Sequence, residues 1–134
     1  MAIIDASVYT ASINQHEEFH ERSLEWLHQA IAAKIPLHAP AILLAEVAAA
    51  IGRGQNDVAL AHRAVFLLRN SRLIHLQPVS IALAESAAKI AGEKLIRGCD
   101  AVYVALALQL SQPLVTLDHQ QARRSSGIIQ VIEL

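Results

Sequence analysis

The chain has 134 residues, a formal net charge of −1, and a composition that is 54% hydrophobic but only 4% aromatic. This length suggests one domain over residues 1–134, and the near-zero charge excludes a protein that attracts nucleic acid through a global positive field. The single cysteine, Cys99, excludes an intrachain disulfide. The longest charge-free run, 101–117, is too short and too polar to span a membrane, and no secretory leader is visible, so we expect a cytoplasmic protein.

Short apolar runs alternate with helical patterns along the whole chain. Strands are predicted at residues 2–5, 36–39, 73–76, 114–117 and 128–132. Helices are predicted at residues 16–33, 41–52, 57–70, 81–92, 101–110 and 119–124, with Pro40 in a first helical turn, Gly52 and Gly54 as stop signals and Ser80 as an N-cap. This alternation predicts an α/β fold with three layers, α/β/α, around a mainly parallel sheet of about four to five strands.

Four isolated carboxylates interrupt apolar stretches: Asp5, Glu46, Asp100 and Asp118. No Lys or Arg lies within two residues of any of them, and an unpaired buried carboxylate is costly. Asp5 and Asp118 fall at the carboxyl ends of predicted strands, where parallel sheets bind ligands. Asp100 is expected just before the first turn of its helix, and Glu46 lies inside another helix. A shared divalent metal would keep all four charged, which predicts metal-dependent phosphoryl transfer.

Each acid also has a simpler interpretation. Asp5 can be an N-cap for the turn after the first strand, Asp100 can be a helix N-cap, Asp118 can be a turn residue, and Glu46 can lie on a solvent-facing stripe. A zinc site is disfavoured, because His16 and His20 are an i, i+4 pair without an HExxH motif. A receiver domain or a DxD phosphatase is disfavoured as well, since Asp5 has no second acid beside it.

Other polar residues flank the four acids. Ser7 and Thr116 each lie two residues from a candidate Asp and are expected to orient a ligand carboxylate or a metal-bound water. A basic rim that would hold a phosphate backbone is predicted from Arg53, Lys94, Arg97, Arg123 and Arg124, although each can equally be a solvated surface charge.

The motifs resemble those of the PIN-domain family, and the chain length resembles that of its VapC-type toxins. The matching segments are IIDAS with Asp5 and Ser7, APAILLAEV with Glu46, RGCDAVYVALA with Asp100, and VTLD with Thr116 and Asp118. The resemblance covers nearly the whole chain, and Cys99 departs from the small Ala-like residue expected before Asp100. It implies that the four acids bind Mg²⁺ or Mn²⁺ and that the protein cleaves RNA.

In this scheme Asp5 and Asp100 bind the principal metal, Asp118 completes its shell, and Glu46 holds a second metal or orients the attacking water. The resemblance further implies an antitoxin that places a basic side chain among the acids, and a homodimer. Two alternatives stay open: a non-catalytic binding module with the same fold, and a housekeeping RNA-processing nuclease. The sequence does not identify the RNA that is cut.

Overall fold

The computed structural model describes all residues, 1–134, and contains one five-stranded sheet in which every neighbouring pair is parallel. The strands are β1 (Ala2–Ile4), β2 (Leu37–Pro40), β3 (Ile74–Gln77), β4 (Leu114–Thr116) and β5 (Val131–Glu133). Their order across the sheet is β3-β2-β1-β4-β5, with Ile3 opposite both His38 and Leu114. The predicted α/β class and strand number are therefore confirmed.

Seven helices surround the sheet: α1 (Ala6–Ile13), α2 (His20–Ala32), α3 (Leu43–Gln55), α4 (Val58–Arg69), α5 (Ile81–Lys94), α6 (Gly98–Leu110) and α7 (His119–Ser125). The connections from β1 to β2 and from β2 to β3 run toward one edge of the sheet, whereas those from β3 to β4 and from β4 to β5 run toward the other. Because such connections are right-handed, α1 to α4 cover one face and α5 to α7 the opposite face. None of the seven is long and apolar enough to cross a membrane.

The position between β1 and β4 is where the direction of strand addition reverses. In doubly wound sheets, ligands bind at this point, beyond the carboxyl ends of the strands. Asp5 follows β1 directly, and Asp118 lies two residues beyond Thr116, the last residue of β4. The topology therefore places these two acids at the same crevice.

Helix α1 was not predicted, because no helix was expected before residue 16. Its sequence, ASVYTASI, contains Val and Thr, which lower helix propensity, and shows little separation of apolar from polar residues. The helix forms because Asp5 caps it: the Asp5 side chain accepts a hydrogen bond from the Ser7 backbone N–H. Val8 and Ala11 then pack into the core.

Three further predictions are corrected. Pro40 ends β2 and pairs with Gln77, instead of opening a helix, and a strand end tolerates its missing N–H. Helix α3 continues through both glycines and stops at Asn56, which adopts a left-handed φ of 50° that Asn tolerates. Helix α6 begins at Gly98, so Asp100 lies inside the first turn, where an acid interacts favourably with the helix dipole. The other boundaries agree within three residues, except that α2 begins at His20 rather than at residue 16.

Helix α6 is the centre of the core. It is apolar on all sides, as expected for a buried helix, and it packs against α5 and against the three central strands β2, β1 and β4. Tyr103, Val104 and Leu106 are almost completely buried. The first turn of α6 is thereby fixed beside the crevice between β1 and β4, which positions Asp100.

Candidate active site

Asp5 is both a helix cap and a buried site residue, being only 4% exposed. Its Oδ2 atom accepts hydrogen bonds from the Ser7 backbone N–H at 3.2 Å, from the Ser7 hydroxyl at 2.5 Å and from the Thr116 hydroxyl at 3.1 Å. The other oxygen, Oδ1, accepts no hydrogen bond from the protein. The cap interpretation and the site interpretation are therefore compatible, since one oxygen serves the fold and the other is available to a ligand.

Thr116 connects the two strands of the crevice. Its fully buried hydroxyl lies 3.1 Å from Asp5 Oδ2 and 2.8 Å from Gln121 Oε1, and it accepts a hydrogen bond from the Asp118 backbone N–H at 3.0 Å. Gln121 in turn donates to the Asp100 carbonyl at 3.2 Å. This network joins the ends of β1 and β4 to the beginning of α6, and so fixes the spacing of the Asp residues.

Asp118 is the N-cap of α7 rather than a simple turn residue. Its Oδ1 atom accepts hydrogen bonds from the Gln120 and Gln121 backbone N–H groups at 2.8 and 2.9 Å. Its Oδ2 atom faces Arg97, whose Nη2 lies 3.3 Å away. Arg97 also donates through Nε to Asp100 Oδ2 at 2.7 Å, so one guanidinium bridges two of the four acids.

Glu46 lies in the first turn of α3 and is half-buried. Its Oε2 atom accepts a short hydrogen bond from the Tyr103 hydroxyl, which reaches across from α6, and its Oε1 atom accepts none from the protein. A solvent-facing stripe therefore does not describe this residue. The bond ties α3, on one face of the sheet, to α6, on the other.

The electrostatics show that the acids are close to one another. Burial raises the pKa of the Asp5 carboxyl, and the nearby Asp100 raises that pKa further against the hydrogen bonds from Ser7 and Thr116. Burial also raises the pKa of Glu46, opposed by its Tyr103 hydrogen bond, while Asp5 and Asp100 add to the increase. The hydrogen bond to Asp100 and the attraction of Asp118 and Asp5 raise the pKa of Arg97.

The donor chemistry of the site suits a hard divalent cation. All four groups are carboxylates, and Asp5, Asp100 and Glu46 each keep one oxygen without a hydrogen bond from the protein. However, no three His, Cys, Asp or Glu side chains stand close enough together to form a ready-made metal centre. In this structure Arg97 contacts Asp100 and Asp118, and Tyr103 contacts Glu46.

The five predicted basic residues have different surroundings. Arg53 lines an open cleft of about 590 Å³ together with Glu46 and Ser7, and its Nε donates to the Ala49 carbonyl. Arg124 lies beside Arg97, Asp100 and Asp118 and donates to the Leu95 carbonyl. Lys94 and Arg123 form no ion pair with any of the four acids.

Two residues of the site were missed in the sequence. Tyr103 lies three residues after Asp100 on α6, and this i, i+3 spacing is the signal that could have identified it. Gln121 lies three residues after the cap Asp118, which is the spacing of a capping box, although its amide instead contacts Thr116 and Asp100. Both side chains are buried in the structure. The sequence alone did not indicate that either of them would contact the acids or Thr116.

The fold and the acidic crevice together define a class of protein. The chain matches the family model for the PIN domain over residues 2–126, nearly its whole length, and it therefore belongs to the PIN-domain family. PIN domains are typically nucleases and generally depend on metal. No curated protein matches the sequence.

Solved structures with the same fold include toxins and toxin–antitoxin complexes. VapC20 of Mycobacterium tuberculosis, a Sarcin-Ricin loop cleaving toxin, has a TM-score of 0.78 at 19% identity, covering 98% of each chain. FitAcB from Neisseria gonorrhoeae has a TM-score of 0.74 at 20% identity, covering 99% of this chain and 97% of that chain. A toxin–antitoxin complex from Klebsiella pneumoniae has a TM-score of 0.66 at 17% identity, covering all of both chains. At these identities the likeness establishes the fold alone.

The two roles of Asp118, as helix cap and as site residue, can be separated by substitution. Asp118→Asn keeps an oxygen for the cap but loses the charge, so we expect unchanged stability of the metal-free protein but at least about 10-fold weaker Mn²⁺ binding, the scale of groups that support a metal site. Asp118→Ala should in addition lose about 0.5–2 kcal/mol of stability with the cap. Asp57→Ala, which removes the cap of α4, is the control and should lose stability alone. Unchanged Mn²⁺ binding by Asp118→Asn would leave Asp118 as a cap only.

Proposed function

We propose that this protein is a metal-dependent endoribonuclease that hydrolyses RNA phosphodiester bonds and that it is the toxin of a toxin–antitoxin pair. The observation that carries the proposal is that Asp100 lies close enough to Asp5 and Glu46 to affect their pKa values, while Arg97 bridges Asp100 and Asp118, beside the point where the strand order reverses. The caps at Asp5 and Asp118 could be made by uncharged Ser or Asn, so the fold does not require charge at these positions.

In this proposal Asp5 and Asp100 hold the principal Mg²⁺ or Mn²⁺ ion, and Asp118 completes its shell. Such an ion supplies positive charge to the phosphate oxygens and lowers the pKa of a bound water. Ser7 and Thr116 fix one oxygen of Asp5, so that the other is held ready for a ligand. Glu46, whose pKa is raised by burial, is suited to hold a second ion or to take a proton from the attacking water at its free Oε1 atom.

Substrate contacts are proposed for the basic rim. Arg53 lines the same cleft as Glu46, and Arg124 lines a small pocket together with Asp100 and Asp118. Lys94 and Arg123 would contact the RNA backbone further from the crevice. Since the net charge is −1, these local charges must supply the attraction for phosphate.

The proposed partner is an antitoxin protein, and the proposed assembly is a homodimer. The support is the fold shared with the FitAcB structure and with the toxin–antitoxin complex from Klebsiella pneumoniae. A toxin should arrest growth when its synthesis is induced, and co-expression of the product of a neighbouring gene should relieve the arrest. A housekeeping RNA-processing nuclease would show metal-dependent cleavage without that growth arrest.

The test of the catalytic proposal is incubation of purified protein with mixed RNA, with Mn²⁺ or Mg²⁺ present, after chelation, and after the metal is restored. We expect cleavage only with metal. The Asp5→Asn variant, purified in the same way, controls for contaminating nucleases and should be inactive. Equal cleavage by both preparations would assign the activity to a contaminant.

The second candidate is a non-catalytic binding module, and one observation favours it. Asp100 and Asp118 are already ion-paired with Arg97, and no three acids form a ready-made metal centre. Thermal unfolding with and without Mn²⁺ discriminates the two, because a metal that binds only the folded state must stabilise it. Unchanged unfolding at high Mn²⁺ concentration, together with no cleavage, would favour the binding module.

A further inference from the structure

Arg97 is the only Lys or Arg that forms an ion pair with the four acids. Its guanidinium reaches Asp100 Oδ2 with Nε at 2.7 Å and Asp118 Oδ2 with Nη2 at 3.3 Å. The residue is the N-cap of α6, and its side chain is 77% exposed, whereas those of Asp100 and Asp118 are 14% and 29% exposed. An exposed surface cation therefore lies across two largely buried anions.

The position of Arg97 opposes a divalent ion between the same acids. Asp100 keeps its Oδ1 atom for such an ion, but the only Asp118 oxygen outside the helix cap, Oδ2, is the one that the guanidinium contacts. The ion would also face the positive charge of Arg97 at close range. The guanidinium can leave with a small loss of stability, because ion pairs with an exposed partner contribute little. The two cations are thus alternatives for Asp118 Oδ2 and compete through their charges at Asp100.

We infer that Arg97 is an internal competitor for the divalent metal. In the metal-free protein its guanidinium compensates the charges of Asp100 and Asp118, and a metal ion displaces it on binding. This inference rests on the proposed metal site. Arg97 then differs from the other residues of the basic rim, which are proposed to contact RNA, because Arg97 contacts Asp100 and Asp118.

The competition has a measurable consequence for metal binding in the absence of RNA. Removing Arg97 should tighten Mn²⁺ binding by up to about 25-fold, because each of the two ion pairs opposes the metal by up to a factor of about five. The same change should lower the melting temperature of the metal-free protein, since Asp100 and Asp118 lose their compensating charge. A residue that merely shaped the site would weaken both metal binding and stability when removed.

The experiment is calorimetric titration of metal-free protein with Mn²⁺, using wild type, Arg97→Gln, Arg97→Lys and Lys94→Gln. Lys94→Gln is the matched control, because it removes a positive charge three residues before Arg97 that forms no ion pair with the acids. Arg97→Lys keeps the charge without the planar fork and should fall between wild type and Arg97→Gln.

Tighter binding by Arg97→Gln than by both wild type and Lys94→Gln, with a lower metal-free melting temperature, supports the competition. Binding by Arg97→Gln that is equal to that of Lys94→Gln, or weaker than that of wild type, overturns it and leaves the metal site standing. If none of the four proteins binds Mn²⁺, the proposed metal site and the competition both fail.

Discussion

Replacing Asp5 by Asn is expected to abolish RNA cleavage while making the metal-free protein more stable. Asn keeps an oxygen for the hydrogen bonds from Ser7 and Thr116, so the fold is retained. It removes the charge that a metal requires, and we expect cleavage to fall by more than about 100-fold, because even groups that only support metal ligands are worth about 10- to 100-fold.

The gain in stability follows from the sign of the pKa shift. Burial raises the folded-state pKa of Asp5 above its ordinary value of 3.8, so the folded protein binds this proton more tightly than the unfolded chain does. Asp5 therefore makes its full contribution to the free energy of unfolding at a pH below 3.8, where it is protonated. That contribution is lost as the pH rises through the folded-state pKa. At neutral pH, Asp5→Asn removes the penalty for a buried charge, which we expect to stabilise the metal-free protein by about 1 kcal/mol or more.

Thermal unfolding of metal-free protein across acidic to neutral pH measures this effect, with about 4 °C expected for each kcal/mol in a domain of this size. The variant should lose part of the pH dependence and keep the part that comes from Glu46, whose pKa is also raised. Asp57→Asn, the same change at the exposed cap of α4, should alter neither cleavage nor stability. An Asp5→Asn protein that gains as much stability from added Mn²⁺ as wild type would remove Asp5 from the metal site.

Replacing Thr116 by Val is expected to destabilise the protein by about 1–3 kcal/mol, the cost of leaving buried polar groups without partners. Val fills the same volume, but the Asp118 backbone N–H loses its acceptor, and the one hydroxyl proton that Asp5 Oδ2 and Gln121 Oε1 share is removed. Asp5 thereby loses its contact with position 116, so cleavage should also fall by about 10- to 100-fold.

Urea unfolding and cleavage rates of Thr116→Val and Thr116→Ser test this role. Ser retains the hydroxyl and loses only a buried methyl group, so it should keep most of the activity and lose about 1 kcal/mol of stability. If Val and Ser variants were equally active, the Thr116 hydroxyl would have no part in positioning Asp5 for catalysis. If the Val variant were as stable as wild type, water would have to satisfy the groups around position 116.

Much of the fold could be predicted because hydrophobic periodicity is a local property. Each strand except the first and each helix except α1 gave a pattern bounded by Pro, Gly or a capping residue, and β1 was evident from its apolar run. Helix α1 was missed because its stability comes from the Asp5 cap and from burial of Val8 and Ala11 rather than from an amphipathic pattern. Tertiary contacts determine such a helix.

The amino-acid sequence by itself determined the composition of the candidate site: four isolated acids, Asp5, Glu46, Asp100 and Asp118, of which Asp5 and Asp118 follow predicted strands. These acids can be recognised in the sequence because burying a carboxylate in an apolar environment costs free energy in any fold. Only the tertiary structure decided what surrounds these acids. Tyr103 reaches Glu46 from the opposite face of the sheet, and Gln121 links Thr116 to α6.

Arg97 shows most clearly which contacts are determined by the tertiary structure and not by the local sequence. In sequence it is one of several basic residues near an acid, three residues before Asp100 and 21 residues before Asp118. Its ion pair with Asp118 exists because the sheet brings β4 next to β1 and because the buried helix α6 fixes its own N-terminus at that edge. Side-chain contacts between distant segments depend on distances that the whole fold sets, and no local pattern in the chain contains them.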